Sequence, residues 1–312
     1  MQIVRGLNSS TRLHGSRPVA LTIGNFDGVH LGHQALLNEL RDAAQTRGLI
    51  TAVVMFEPHP REFFSPQQAP ARLTSLREKL EFFSTLGIDR VHVCRFNEAF
   101  AKMSAANFIN ALHEKLSAGF VLIGDDFRFG NGRTGDFALM EKIGAQLGFA
   151  VRSMHSVTHD GVRISSTAVR AALAAGQMHI AERYLGRHYS ISGRVVHGDG
   201  MGLKLGFPTA NIQLKHNRPP LYGIFVVQVH AEGLGVLRGV GSLGVRPTLR
   251  NDGRPMLEVH LFEFSQQIYG KHLRVEFLHK LRDEEKYPDL ATLTRQIALD
   301  AENAKKWFAQ HD

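Results

Sequence analysis

The sequence predicts an α/β chain of two domains: a doubly wound parallel sheet with helices on both faces, then an antiparallel β-barrel with a terminal helix. Three observations predict it. Up to about residue 185, short runs rich in Val and Ile alternate with longer segments whose apolar residues recur every three or four positions, the rhythm of strand–helix units in a parallel sheet. Beyond Tyr184-Leu185-Gly186 the strand candidates come closely spaced and separated by Gly, Pro and Asn, which is the pattern of an antiparallel barrel. At 312 residues the chain is long for one domain and sufficient for two that each bury a core. The expected division assigns residues 1–186 to the first domain and 187–312 to the second.

In chain order, strands are expected at Val19–Ile23 and at residues 50–56, 90–94, 120–123 and 149–154, each a short apolar run favouring β-branched residues. Between them lie helical patterns such as Leu31–Arg47 and residues 76–86. A sheet of this kind opens its ligand cleft at the carboxyl ends of its strands. In the second domain the strand candidates are Tyr189–Val196 and residues 224–229, 257–264 and 273–278. Residues 290–308 align Leu290, Leu293, Ile297, Ala301, Ala304 and Phe308 on one side, which predicts a helix packed on the barrel. No internal repeat or low-complexity tract interrupts this plan.

A hydrophobic share of 43% and a charged share of 21% are those of an ordinary globular protein. The single cysteine, Cys94, excludes an intrachain disulfide and a cysteine zinc cluster. The amino terminus lacks the basic and apolar regions of a secretory signal, and no apolar run is long enough to span a bilayer, so a cytoplasmic protein without membrane attachment is expected. The net charge of +8 admits nucleic acid, lipid or small anions as partners. Lys and Arg are interspersed with acids, as over residues 271–286, instead of gathered on one tail, which points to small phosphorylated ligands and away from nucleic acid.

The segment from Val19 to His33 runs from strand through a glycine-containing turn into a helix. Gly24 and Gly28 let the backbone approach a ligand, and the helix start presents N–H groups and a positive dipole end to an anion. His30 and His33, three apart at that start, can lie over one phosphate. Two histidines among 17 can also fall close by chance, so the His-x-Gly-His piece alone is an even choice between phosphate site and plain turn. The whole decapeptide Gly24-Asn25-Phe26-Asp27-Gly28-Val29-His30-Leu31-Gly32-His33 resembles the signature of the nucleotidylyltransferase superfamily, in the form of its FAD synthetase branch. Three further segments fit that branch in order: Phe56-Glu57-Pro58-His59-Pro60, Gly124-Asp125-Asp126-Phe127-Arg128-Phe129-Gly130, and Arg163-Ile164-Ser165-Ser166-Thr167. The resemblance implies a Rossmann-like domain that transfers the adenylyl group of ATP to FMN. An FMN phosphate is already ionised and needs alignment and charge relief more than a base. His30, His33 and Arg163 are the expected charge stabilisers, with Ser166 and Thr167 on the phosphates. Gly24, Asn25, Asp27 and Gly28 line the ATP side, and Phe56, Pro58, Asp126, Phe127 and Phe129 the flavin side. Standing alone, Ser166 and Thr167 read as an ordinary helix cap and the aromatics as core.

In the second half, Gly198, Gly200, Gly202 and Gly206 follow a strand closely, making a flexible loop able to close over phosphates. Thr209 and Asn211 are two apart on an extended segment and offer two neutral oxygens on one face, which suits Mg2+ or simply a Pro-initiated turn. Gly206-Phe207-Pro208-Thr209-Ala210-Asn211, Tyr222-Gly223-Ile224-Phe225, Gly244-Val245-Arg246-Pro247-Thr248, Leu257-Glu258-Val259-His260-Leu261 and Tyr269-Gly270 together resemble the riboflavin kinase family. The resemblance implies Glu258 as the base for a weakly nucleophilic alcohol, Thr209 and Asn211 as Mg2+ ligands, and the glycines with Lys204 as phosphate contacts. The loop departs from the family form at Leu203, where a basic residue is common, and Lys204 is the expected substitute. Alternation with Leu257, Val259 and Leu261 would equally make Glu258 the solvent side of a strand.

Both halves together resemble the bacterial bifunctional riboflavin kinase and FMN adenylyltransferase family over nearly the whole chain. The implied reactions convert riboflavin and ATP to FMN and ADP, then FMN and ATP to FAD and pyrophosphate. The alternative kept open is that one half is active while the other binds flavin in a regulatory role. Self-association into a homo-oligomer is likewise left open.

Overall fold

The structure, a computed structural model, describes residues 1–7, 17–198, 200–214, 218–245 and 255–311. Asp199 in the glycine stretch, and Arg246, Pro247 and Thr248 of the third kinase-like segment, lie outside the described residues. Contacts divide the chain into two compact units, Met1–Pro70 with Leu76–Ser165, and Ala71–Ser75 with Ser166–Asp312.

The first unit contains β1 (Gln2–Arg5), β2 (Val19–Ile23), α1 (Leu31–Arg47), β3 (Ile50–Glu57), α2 (Pro60–Phe64), α3 (Leu76–Thr85) and β4 (Arg90–Arg95). It continues through α4 (Glu98–Ala101), α5 (Ala105–Leu116), β5 (Ala118–Gly124), α6 (Phe137–Leu147), β6 (Ala150–Met154) and the short hairpin of β7 (Thr158–His159) and β8 (Val162–Arg163). Six strands form one parallel sheet in the order β1-β4-β3-β2-β5-β6. Strand β2 is buried along its whole length, which is why it reads as an unbroken apolar run. Its side chains alternate between two cores. Val19, Leu21 and Ile23 meet Phe108, Ile109 and Leu112 of α5, whereas Ala20 joins Leu36, Leu37 and Leu40 of α1 and Phe83 of α3. The chain steps from β2 to β3 and β4 on one side and returns to β5 and β6 on the other, so the direction of winding reverses between β2 and β5. Ligand crevices of open α/β sheets form at the carboxyl ends of such a pair. Strand β1 was not expected; its four residues are mostly exposed and carry no apolar periodicity.

The second unit holds α7 (Ser166–Ala174), α8 (Met178–Leu185), β9 (Tyr189–Val196), α9 (Met201–Lys204), β10 (Thr209–Ile212), β11 (Gly223–Ala231), β12 (Gly235–Val245), β13 (Pro255–Leu261), β14 (His272–Arg282) and α10 (Leu290–His311). Its six strands close an antiparallel barrel in the order β10-β13-β12-β11-β14-β9, the last joined to the first through Asn211 and Val196. Phe225, Val227 and Val229 of β11 fill the interior, and the alternate residue Val226 faces Ala304 and Phe308 of α10. Helix α10 thus covers the barrel as expected, although Leu290, at 58% exposure, stays in solvent. Asp300 on the same helix is buried, held by Arg282 of β14 through contacts of 2.9 and 2.6 Å. Val169, Ala172 and Leu173 of α7 and Ala181 and Leu185 of α8 share the barrel core. The glycine stretch is less open than its composition suggests. Met201–Lys204 winds into one helical turn behind Gly200, and Phe207 N–H donates back to the Gly202 carbonyl at 2.8 Å.

Candidate active sites

The turn from Gly24 to His30 leaves the carboxyl end of β2. Three of its residues take left-handed backbone angles: Phe26 (φ 50), Gly28 (φ 84) and Val29 (φ 41). Gly28 adopts this region without a Cβ penalty, whereas Phe26 and Val29 each cost on the order of 1–3 kcal/mol and are held by complete burial. The outcome is that His30 caps α1, its Nδ1 accepting the His33 backbone N–H at 3.3 Å. An accepting Nδ1 carries no proton, so neutral His30 bears its proton on Nε2. The two imidazoles stack with centroids 3.6 Å apart and planes 20° from parallel. Burial first, then the charges of His30 and Lys79, hold the His33 pKa well below its ordinary 6.5, so His33 is neutral at pH 7. Its Nδ1 is buried and has no hydrogen-bond partner among the described residues. A Cβ on Gly24 would lie 3.0 Å from the Phe26 ring, and one on Gly32 would lie 3.2 Å from the His30 ring and 3.6 Å from the Ile164 carbonyl oxygen. Residue 164 therefore passes beside the start of α1.

Next to Ile164, Arg163 pairs with Asp126 at 2.5 Å; both side chains are more than half exposed, so this pair adds little stability and can be exchanged for a ligand anion. Asp27 is buried, and the Oδ1 atom of Asn25 is buried without a hydrogen-bond partner among the described residues. Phe56 is half-buried against Phe100 and Phe96, with centroids 5.1 and 5.9 Å away. Pro58 is half-buried. Phe127 is half-buried and stacks at 5.5 Å on Phe129, which sits in the core against Phe108 and backs it. Ser166 and Thr167 open α7, two positions after Ile164, and group by contacts with the second unit.

In the barrel, strand register places Asn211 opposite Glu258, and Glu258 opposite Ser242 on its other side. Thr209 Oγ1 donates to Glu258 Oε2 at 3.4 Å. Asn211 is buried and its Oδ1 has no hydrogen-bond partner among the described residues. The glycine stretch lies directly on these side chains: a Cβ at Gly198 would come within 2.5 Å of the Asn211 Cγ, and one at Gly202 within 3.1 Å of Thr209 Oγ1. Lys204 is exposed, as is Leu203, so no apolar burial accounts for the leucine. Sequence reasoning missed Glu284, whose carboxylate occupies the space left by the missing side chain of Gly244 and accepts from Ser242 Oγ at 3.4 Å. Burial chiefly, and the charge of Glu258 in part, raise its pKa against the opposing Ser242 bond and Arg282. It follows a strand in an irregular segment and carries no sequence signal. Lys79 was also missed; a lysine in the apolar stripe of Leu76, Leu80 and Phe83 was the available clue.

Residues 13–168 match the family model of FAD synthetase, and residues 185–308 that of riboflavin kinase. Over 309 residues, spanning 99% of this chain and 98% of the relative, the sequence is 45% identical to the bifunctional riboflavin kinase/FMN adenylyltransferase of Escherichia coli strain K12. The chain belongs to the bifunctional riboflavin kinase/FMN adenylyltransferase family. Members from Haemophilus influenzae and Pseudomonas fluorescens are 45% identical as well, over 99% and 98% of this chain and 99% and 97% of their own. The fold of this family member also matches a crystal structure described as a macrolide-efflux protein from Streptococcus pneumoniae, with a TM-score of 0.82 at 27% identity, covering 98% of this chain and 100% of that one. No described helix of the present family member is long and apolar enough to cross a membrane. Membership makes the chain a transferase of a family that uses ATP and flavins, with the FAD synthetase match ahead of the riboflavin kinase match.

Proposed function

We propose that this chain phosphorylates riboflavin with ATP to FMN in its barrel and adenylylates FMN with a second ATP to FAD in its parallel-sheet unit, releasing ADP and then pyrophosphate. The observation that carries this reading is the match of both family models to one chain, each over the segment holding its own polar constellation. In the barrel, Glu258 takes the proton of the riboflavin primary alcohol as that oxygen attacks the γ-phosphorus of ATP. Thr209 aligns the carboxylate through its hydroxyl, and Gly198, Gly200, Gly202 and Lys204 face the phosphates. The orphaned Asn211 Oδ1 and the Thr209 hydroxyl are hard oxygen donors that fit Mg2+, an ion satisfied by few protein ligands because it keeps water and phosphate oxygens. When bound, Mg2+ offsets phosphate charge.

In the first unit the FMN phosphate oxygen attacks the α-phosphorus of ATP. His30, through its Nε2–H, His33 and Arg163 stabilise the charge that gathers on the departing pyrophosphate. Gly24, Asn25, Asp27 and Gly28 shape the ATP side, and Phe56, Pro58, Asp126 and Phe127, backed by Phe129, the flavin side. We keep the domain boundary at 186/187, between the end of α8 and β9, and place the protein in the cytoplasm. Incubation with riboflavin and MgATP, followed by chromatography over time, tests the reading. FMN should appear first and FAD after it; failure to form either refutes the proposal, and a reaction that stops at FMN refutes its second half.

A further inference from the structure

Lys79 is almost fully buried on α3, at 2% exposure, and none of the short motif segments quoted above contains it. One turn along the same helix face lies Phe83, also buried. The Phe83 ring meets Phe26 edge-on with centroids 5.4 Å apart, and Phe26 lies 5.1 Å from the His33 ring, which stacks on His30. This chain of ring contacts presses the Lys79/Phe83 face of α3 against the turn that carries both histidines. Lys79 stands on that face one turn before Phe83, near enough for its charge to act on His33. A buried cation beside two imidazoles is costly unless something anionic shares the space. Two buried acids, Asp27 and Glu78, belong to the same region, and Lys79 has polar contacts of its own, so a structural ion is the rival account.

We infer that Lys79 is a further charge-stabilising residue of the adenylyl-transfer site, directed at the polyphosphate of the nucleoside triphosphate and at the pyrophosphate it becomes. The inference rests on the adenylyltransferase reading of the first unit. As the bond from the FMN phosphate oxygen to the α-phosphorus forms, the bond from that phosphorus to the β-bridging oxygen breaks, and its electron pair leaves with pyrophosphate. Lys79 keeps its proton throughout and acts by charge alone. It complements His33, which is neutral at pH 7 and brings no full positive charge. His33 fits this arrangement, its proton affinity being lowered in part by Lys79 itself.

The test compares wild type with Lys79→Met and Lys79→Arg in the full chain. FAD formation from supplied FMN and MgATP, FMN formation from riboflavin, and binding of pyrophosphate and of FMN by calorimetry are measured. Lys79→Met should lower FAD formation at least about tenfold and pyrophosphate affinity by a similar factor, the scale of one preorganised donor. FMN affinity and riboflavin phosphorylation should hold within about twofold, and Lys79→Arg should recover most of the loss. A merely structural ion would not separate pyrophosphate from FMN. Should Lys79→Met fail to fold, Lys79→Gln takes its place; if both neutral variants unfold the first unit, Lys79 is a structural ion and the inference falls. It falls equally if a folded neutral variant keeps wild-type FAD formation or pyrophosphate affinity. A wild type that forms no FAD from FMN would instead overturn the adenylyltransferase reading.

Discussion

Replacing Gly198 by alanine should disable riboflavin phosphorylation while leaving FAD synthesis from supplied FMN intact. The added methyl would lie 2.5 Å from the Asn211 Cγ, whereas ordinary van der Waals contact begins near 3.4 Å, so the amide must retreat by about 0.9 Å. Asn211 is 7% exposed, between the buried residues Ala210 and Ile212, and its whole amide group meets the intruding atom, so a rotamer change alone does not clear the overlap. Gly198 does not adopt a left-handed backbone angle, so alanine fits its main chain and the damage is confined to the overlap. A displacement of about 1 Å in a positioning group costs on the order of a hundredfold in rate, or about 2.7 kcal/mol of barrier. Chromatographic assay of FMN formation reads this loss, and FAD formation from FMN in the same sample reports on the first unit. The reasoning fails if the variant phosphorylates riboflavin within about threefold of wild type. Gly200→Ala supplies the contrast: Gly200 has φ 68 and open space around its Cβ, so strain of about 1 kcal/mol is expected with no overlap.

Glu258→Gln should abolish FMN formation and spare FAD formation from FMN, and a variant with normal kinase activity would remove Glu258 as the base. His30→Ala should do the reverse; equal loss of both activities on the same chromatogram would contradict separate sites. Arg282→Met leaves the buried Asp300 with the Gln296 amide at 3.0 Å as its remaining side-chain partner among the described residues, and the barrel should lose about 3 kcal/mol by urea unfolding, whereas a loss below about 1 kcal/mol would make the pair dispensable. His33 and His92 are both held below 6.5 by burial, so the native chain refuses protons that the unfolded chain accepts. Their stability contribution is complete above about pH 6.5 and is lost as the pH falls below it, so the thermal midpoint of the first unit should drop between pH 7 and 5. A midpoint that rises over that interval would reverse the sign.

Much of this was open to inspection in the residues themselves. Strand β2 and helix α1 coincide with their expected spans because a fully buried strand and a capped amphipathic helix each impose a local period on the sequence. The stretch from Gly24 to His33 was legible for a related reason: turn glycines, a capping histidine and a second histidine one turn on all act within ten residues. Leu290 shows where periodicity overreaches, since it continues the apolar stripe of α10 yet projects past the barrel it was expected to cover.

By itself the sequence determined the spans of β2 and α1, the change from helical to strand periodicity near residue 185, and which short segments resemble the two families, because those depend on interactions between near neighbours in the chain. Only tertiary structure decided that Glu258 faces Thr209 and Asn211 across a strand pair, that Gly198 makes room for an asparagine amide, and that Phe83, on the Lys79 face of α3, packs on Phe26 of the histidine turn. These depend on strand register and on which helix face meets which turn. They join residues tens of positions apart by packing and hydrogen bonding, and leave no period along the chain.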